Sequence, residues 1–267
     1  MAGGSGKKIL DVLAGQVVSP PPVWMMRQAG RHLPEYLETR ARARDFLDFC
    51  YTPSLAAEAT LQPIRRYGMD AAILFADILL ILDAMGLGVR FEKGEGPLVE
   101  EISQPSELRR IQPEAAADKL SPVYETVARV KAALPPETTL MGFAGSPWTV
   151  TLYAVEGRGK TDKSAAWRWA HGRPADLAEA MDLVGEATAH YLARQVEAGA
   201  DALMLFDSWA EGLPDNIFEE VIIAPTKKLV DRLRGMGVTV PIIGFPRGTG
   251  VIVPDYVKAT GVTGVGL

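Results

Sequence analysis

The sequence predicts an α/β protein of the TIM type, a (β/α)8 barrel that is C-terminally truncated so that about six of its eight strands are present. Short apolar runs rich in β-branched and aromatic residues alternate with longer helical patterns, the signature of parallel βα units. Each run ends in a polar or glycine-rich turn, as strands do where a barrel builds its active face. The sixth run closes the sequence at Leu267, where a complete barrel would need two more strands.

The six runs are Val23 to Met26, Ala71 to Phe75, Thr139 to Phe143, Ala202 to Phe206, Pro241 to Phe245 and Gly264 to Leu267. Between them, Pro53 to Tyr67 reads as a helix with Thr52 at its N-cap and Pro53 at its first position. Ala175 to Ala198 carries apolar residues at helical spacing. Gly68 and Gly199 end these two helices. The stretch 88–101, with Gly94 and Gly96 at its centre, reads as a β-hairpin insertion after the second strand. No linker or change of composition divides the chain, so 1–267 reads as a single domain, incomplete at its C-terminus.

With 48% hydrophobic and 23% charged residues, the chain has an ordinary globular composition. Its single cysteine, Cys50, cannot form an internal disulfide, which fits a reducing, cytoplasmic setting. The first residues lack the apolar stretch of a secretory signal. The longest apolar runs are cut by Asp77 and Asp83, well short of the roughly 18 residues that suggest a membrane span. A net charge of −5 argues against general attraction to nucleic acid or to an acidic membrane.

Arg27 and Arg31 flank Gln28-Ala29-Gly30 in the first strand-to-loop turn, and Arg40, Arg42 and Arg44 follow. Guanidinium groups bind carboxylates through paired, charge-assisted hydrogen bonds of roughly 1.5–3 kcal/mol each. The bland alternative is pairing with Glu35, Glu38 or Asp45 on a solvated helix face. That alternative suits Arg42 and Arg44; it suits Arg27 poorly, because Arg27 directly follows an apolar strand.

Asp77 breaks an apolar stretch where a carboxylate needs hydrogen-bond donors, either from a ligand or from the helix that follows, which it would cap. Phe143-Ala144-Gly145-Ser146-Pro147 forms a small-residue turn that lets backbone approach a flat ligand, and Tyr153 lies further along the next helix. By composition alone, Tyr153 is as readily a loop anchor as a reacting group. Ser208 has no G-x-S-x-G elbow and reads as a hydrogen-bonding residue. Three scattered histidines and one cysteine give no metal-ligand spacing, and neither phosphate-cradling glycine motif occurs.

Four segments, in order, resemble the uroporphyrinogen decarboxylase family. They are Val23-Trp24-Met25-Met26-Arg27-Gln28-Ala29-Gly30-Arg31-His32-Leu33-Pro34-Glu35-Tyr36, Phe75-Ala76-Asp77-Ile78-Leu79, Gly142-Phe143-Ala144-Gly145-Ser146-Pro147-Trp148-Thr149 and Phe206-Asp207-Ser208-Trp209-Ala210. The resemblance implies a homodimeric (β/α)8 barrel that removes CO2 from the four acetate arms of uroporphyrinogen III, giving coproporphyrinogen III on the way to haem and chlorophyll, without cofactor or metal.

The resemblance also implies residue roles. Asp77, Arg27 and Tyr153 are the catalytic set, Asp77 receiving the pyrrole N–H groups. Arg27, Gln28, Ala29, Gly30, Arg31 and Arg40 contact the substrate carboxylates, and Phe75, Phe143, Gly145, Phe206 and Ser208 complete the cleft. His32 stands where the family commonly has tyrosine. The family's C-terminal segment, with its last strands and a site histidine, has no counterpart in the sequence. Two other readings are a corrinoid-linked methyltransferase of the same barrel superfamily, which Cys50 alone argues against, and an inactive porphyrin-binding fragment.

Overall fold

A computed structural model describes residues 5–25, 30–92, 95–159 and 162–267. Met26, Arg27, Gln28 and Ala29 lie outside the described residues, as does Gly94 of the hairpin.

The strands are β1 (Ala71–Ile73), β2 (Val89–Glu92), β3 (Gly96–Val99), β4 (Thr139–Gly145), β5 (Ala202–Asp207), β6 (Ile242–Pro246) and β7 (Gly264–Val265). Five of them form one sheet in the order β1-β4-β5-β6-β7, with every pairing parallel. Parallel neighbours in sequence order, joined by helical crossovers, make the wall of a (β/α) barrel. The antiparallel pair β2–β3 is the expected hairpin. It docks at the C-terminal end of the helix Pro147–Glu156 through Val99 N–H to Gly157 O (2.7 Å), and the chain leaving it adds Ile102 N–H to Ala154 O (2.9 Å).

Of the first expected strand, Met26 lies outside the described residues, and among the described ones Val23 to Met25 are assigned to no strand. Val23 C=O accepts from Asp70 N–H at 3.0 Å, and Val23 N–H donates to the Asp70 carboxylate at 2.7 Å. The helices keep close to expectation, at Pro53–Tyr67 and Pro174–Glu197. Thr52 begins the first of them without capping it, since its hydroxyl donates back to Asp48 O at 2.7 Å.

Side-chain alternation sets the two faces of the sheet. Leu203, Leu205 and Asp207 of β5 point into the helix layer, whereas Met204 and Phe206 face the interior. At the N-terminal ends of the strands, Ala71, Met141 and Ala202 form a small core against Ile9, Leu10, Trp24, Ile73 and Ile243. The helix Lys8–Leu13 therefore stoppers this end. Lys7 Nζ fixes it by donating to Asp201 Oδ2 (2.6 Å) and Thr138 O (2.9 Å).

Toward the other end, β1 and β4 separate after Ile73 and Met141. There the buried Gln195 amide bonds both backbone groups of Phe143, accepting from N–H at 2.9 Å and donating to C=O at 3.0 Å. A side chain continues the ladder where the strands splay, so the Phe143 backbone stays paired as the C-terminal mouth opens.

Candidate active site

The widened end of the sheet carries a row of edge-to-face phenylalanines, Phe143–Phe206 at 5.5 Å and Phe206–Phe245 at 5.8 Å between centroids. With Arg31, Ile73, Leu74, Phe75 and Ala76, Phe143 and Phe206 line a cavity of about 290 Å³. Arg31 also borders a larger cavity of about 770 Å³, shared with Arg40, Arg44, Asp77 and, from the hairpin, Phe91 and Pro97.

Two arginines meet aromatic faces rather than carboxylates. Arg31 Cζ lies 5.4 Å from the Phe46 ring centre and Arg40 Cζ 5.8 Å from that of Phe49. Among the described residues, neither forms an ion pair with an acid; Arg40 also reaches Ala43 O at 3.4 Å. The rings beneath them form a chain, with Phe75 contacting Tyr36, Phe46 and Phe49 and Phe46 contacting Phe91. A cation held over a ring keeps its N–H donors free for an incoming anion. Arg44 pairs with Asp48 at 3.1 Å, and Glu35 is taken by Arg66, so the expected partners Glu35, Glu38 and Asp45 are not the ones used.

Asp77 does not cap the helix that follows. Its Oδ1 accepts from Leu79 N–H at 2.9 Å, a local turn ahead of the helix Leu80–Ala84, whose N-cap is Leu79 and which has no side-chain cap. Oδ2 has no hydrogen-bond partner among the described residues, and the side chain borders the larger cavity. Burial raises its carboxyl to about 6, opposed by the Leu79 N–H and by the charge of Arg31. The acid is therefore poised near neutrality, with one oxygen that no described residue engages.

Tyr153 comes from the helix after β4. Its ring stands edge-on to Trp209 at 6.2 Å, and a Cβ on Gly159 would lie 3.0 Å from its hydroxyl and 2.7 Å from the Trp209 ring. Burial pushes the phenol up and nearby Asp77 adds to the rise, while the indole N–H of Trp209 opposes it. That N–H has no acceptor within hydrogen-bond geometry, so its influence is one of proximity. Ser208 is half-buried after β5, with no hydrogen bond to a described residue.

The space beside Gly145 is filled from within the protein. An added Cβ would lie 2.6 Å from Val150 Cγ2 and 3.1 Å from Ile78 Cβ, so the glycine is needed for internal packing. Gly30 is buried, whereas Arg27, Gln28 and Ala29 lie outside the described residues. Sequence reasoning passed over Arg44, Phe46, Phe91 and Pro97 as cavity walls, although three arginines at alternate positions were a visible signal. It also passed over Asp207, read only as part of a turn. Among the described residues, no group of three or more His, Cys, Asp or Glu side chains is placed to hold a metal ion.

Parallel strands ending at a cleft with unpaired guanidinium groups, an aromatic floor and a poised carboxyl define a (β/α)-barrel enzyme suited to a large polyanionic substrate. The family model for uroporphyrinogen decarboxylase (URO-D) matches residues 5–267, and the chain belongs to that family. It is 80% identical to the uroporphyrinogen decarboxylase of Hyphomonas neptunium over 98% of this chain and 76% of that protein. It is 54% identical to that of Maricaulis maris, over 97% and 75%. The chain thus spans about three quarters of these relatives' length. A methyltransferase from Methanosarcina mazei has a similar structure, with a TM-score of 0.78 at 20% identity over 98% of this chain and 76% of that one, a likeness of fold alone.

Proposed function

We propose that the chain is a carboxy-lyase that converts uroporphyrinogen III to coproporphyrinogen III by removing CO2 from its four acetate arms. The observation that carries this reading is the placing of Asp77, whose Oδ2 no described residue engages, and Arg31, which pairs with no described acid, on one cavity. A tetrapyrrole presents the complementary pattern, pyrrole N–H donors at its centre and carboxylates around its edge.

Loss of CO2 leaves the electron pair of the broken C–C bond, which needs an acceptor. A proton added to the pyrrole carbon beside the acetate makes the ring cationic. The pair then moves into the ring as CO2 leaves, giving an exocyclic methylene. A second proton on that carbon makes the methyl group, and loss of the ring proton restores the pyrrole. Each acetate takes up one proton in total.

Asp77 accepts the pyrrole N–H groups through Oδ2 and stabilises the ring cation, a charge complementarity that is strong in a water-poor cleft. Arg31 and Arg40 grip carboxylates, joined by Arg27, since a guanidinium group keeps its charge and serves as an anchor far more readily than as a proton donor. Gln28, Ala29 and Gly30 continue that rim. Tyr153 and Ser208 supply flanking polar contacts, while Phe75, Phe143 and Phe206 cover the pyrrole rings of the macrocycle, with Gly145 setting the turn behind them.

We further read the chain as one barrel domain carrying the hairpin as an insertion, working as a cytoplasmic homodimer. Sedimentation showing only a species of single-chain mass would remove the dimer. Function itself is tested by anaerobic turnover of uroporphyrinogen III. Asp77→Asn should lower kcat about 100-fold or more and change KM much less, since the charge acts mainly in the transition state. Unchanged kinetics would remove the role assigned to Asp77.

A further inference from the structure

Asp207 ends β5 on the face turned away from the cleft, wholly buried against the helix Pro147–Glu156. Its Oδ1 accepts from Thr149 Oγ1 at 2.6 Å, and that same hydroxyl accepts from Trp209 N–H at 3.2 Å. Trp148 Nε1–H donates to Trp209 O at 3.1 Å, and Ser146 N–H to Phe206 O at 2.9 Å. Thr149 lies one helical turn before Tyr153, and Asp207 directly precedes Ser208. The short chain Asp207–Thr149–Trp209 therefore joins the helix bearing one candidate substrate contact to the turn bearing the other.

We propose that Asp207 and Thr149 form a buried positioning pair that sets the spacing of Tyr153 and Ser208 across the cleft, an inference resting on the decarboxylase reading above. A carboxyl group in apolar surroundings is a costly way to fasten a turn, and it is kept where its geometry is needed. Burial raises this carboxyl to about 7, against the Thr149 and Ser146 contacts, so much of it carries a proton at neutral pH. The protonated form suits Oδ2, which has no hydrogen-bond partner among the described residues. Behind it the Tyr256 and Thr226 hydroxyls are also buried without geometric partners, and Tyr256 feels the charge of Asp207.

The test compares Thr149→Val, which keeps the shape and removes the hydroxyl, with Thr149→Ser, which keeps the hydroxyl, and with Asp207→Asn. Thr149→Val should lower kcat about 10- to 100-fold, the scale set by an error of about 1 Å in reacting geometry, with KM changed less than about threefold. Thr149→Ser should recover most of the loss. Asp207→Asn, whose amide oxygen can still accept from Thr149 Oγ1, should stay within about threefold of wild type, and combined with Thr149→Val it should be no slower than Thr149→Val alone. A Thr149→Val enzyme that is folded by circular dichroism and has wild-type kcat would overturn the proposal, even if Asp207→Asn fails to fold. So would losses that multiply in the double variant. An inactive wild-type chain would instead count against the decarboxylase reading itself.

Discussion

At the scale of the residue, Asp77 links activity and stability with opposite signs. Its folded value of about 6 lies above the usual 3.8, so the folded chain binds this proton more tightly than the unfolded chain. Stability from this group is complete below about pH 4 and declines as pH rises through about 6. Asp77→Asn should therefore stabilise the protein above pH 6 by about 1–3 kcal/mol while slowing turnover. Urea midpoints at pH 5 and pH 8 would check this: the gap between variant and wild type should widen with pH. Gly159 offers a steric counterpart. Gly159→Ala places a methyl against the Tyr153 hydroxyl and the Trp209 ring. It should lower kcat/KM about tenfold with a small change in melting temperature. Asp77 was legible in the sequence because a carboxylate amid apolar residues demands an explanation. Gly159 was not, since nothing in Gly157-Arg158-Gly159 reveals which ring lies above it.

At the scale of the element, the parallel strands and long helices were legible from periodicity and from prolines at helix starts. Their ends shifted by a residue or two, where hydrogen bonds rather than hydrophobicity decide the boundary. At the entry to the first expected strand, the Val23 amide is taken by the Asp70 carboxylate, a partner 47 positions away that periodicity does not reveal. Gln195 shows the converse, a polar residue in a buried helix that serves a neighbouring strand. Gln195→Leu would leave the Phe143 N–H and C=O unsatisfied, at a cost of about 2–5 kcal/mol. A urea midpoint equal to that of wild type would show that the amide contributes nothing there. The basic rim lay between these cases: Arg31 was legible, while the aromatic support beneath it depends on Phe46, Phe49 and Phe75 converging from separate elements.

At the scale of the whole molecule, the small core beneath the sheet depends on one acid that collects distant partners. Asp201 accepts from Lys7, Lys131 and the Leu140 N–H. Burial alone would raise its carboxyl, but these partners outweigh it and hold the group below its ordinary range. A depressed value contributes stability above the unfolded pKa, which is lost as pH falls through the folded one. Asp201→Asn should cost about 2–3 kcal/mol at pH 7, and the difference from wild type should vanish in acid. A gap that persists unchanged in acid would assign the loss to packing instead.

The stopper helix also bears on the order in which the chain folds. Lys7 and Asp201 are separated by 194 positions, so their contact can close only once most of the intervening sheet is in place. The expected order puts such contacts after the folding transition state. Loosening them should hasten unfolding and leave the refolding rate nearly unchanged, so the front of the chain acts as a latch on the finished structure and contributes little to its nucleus.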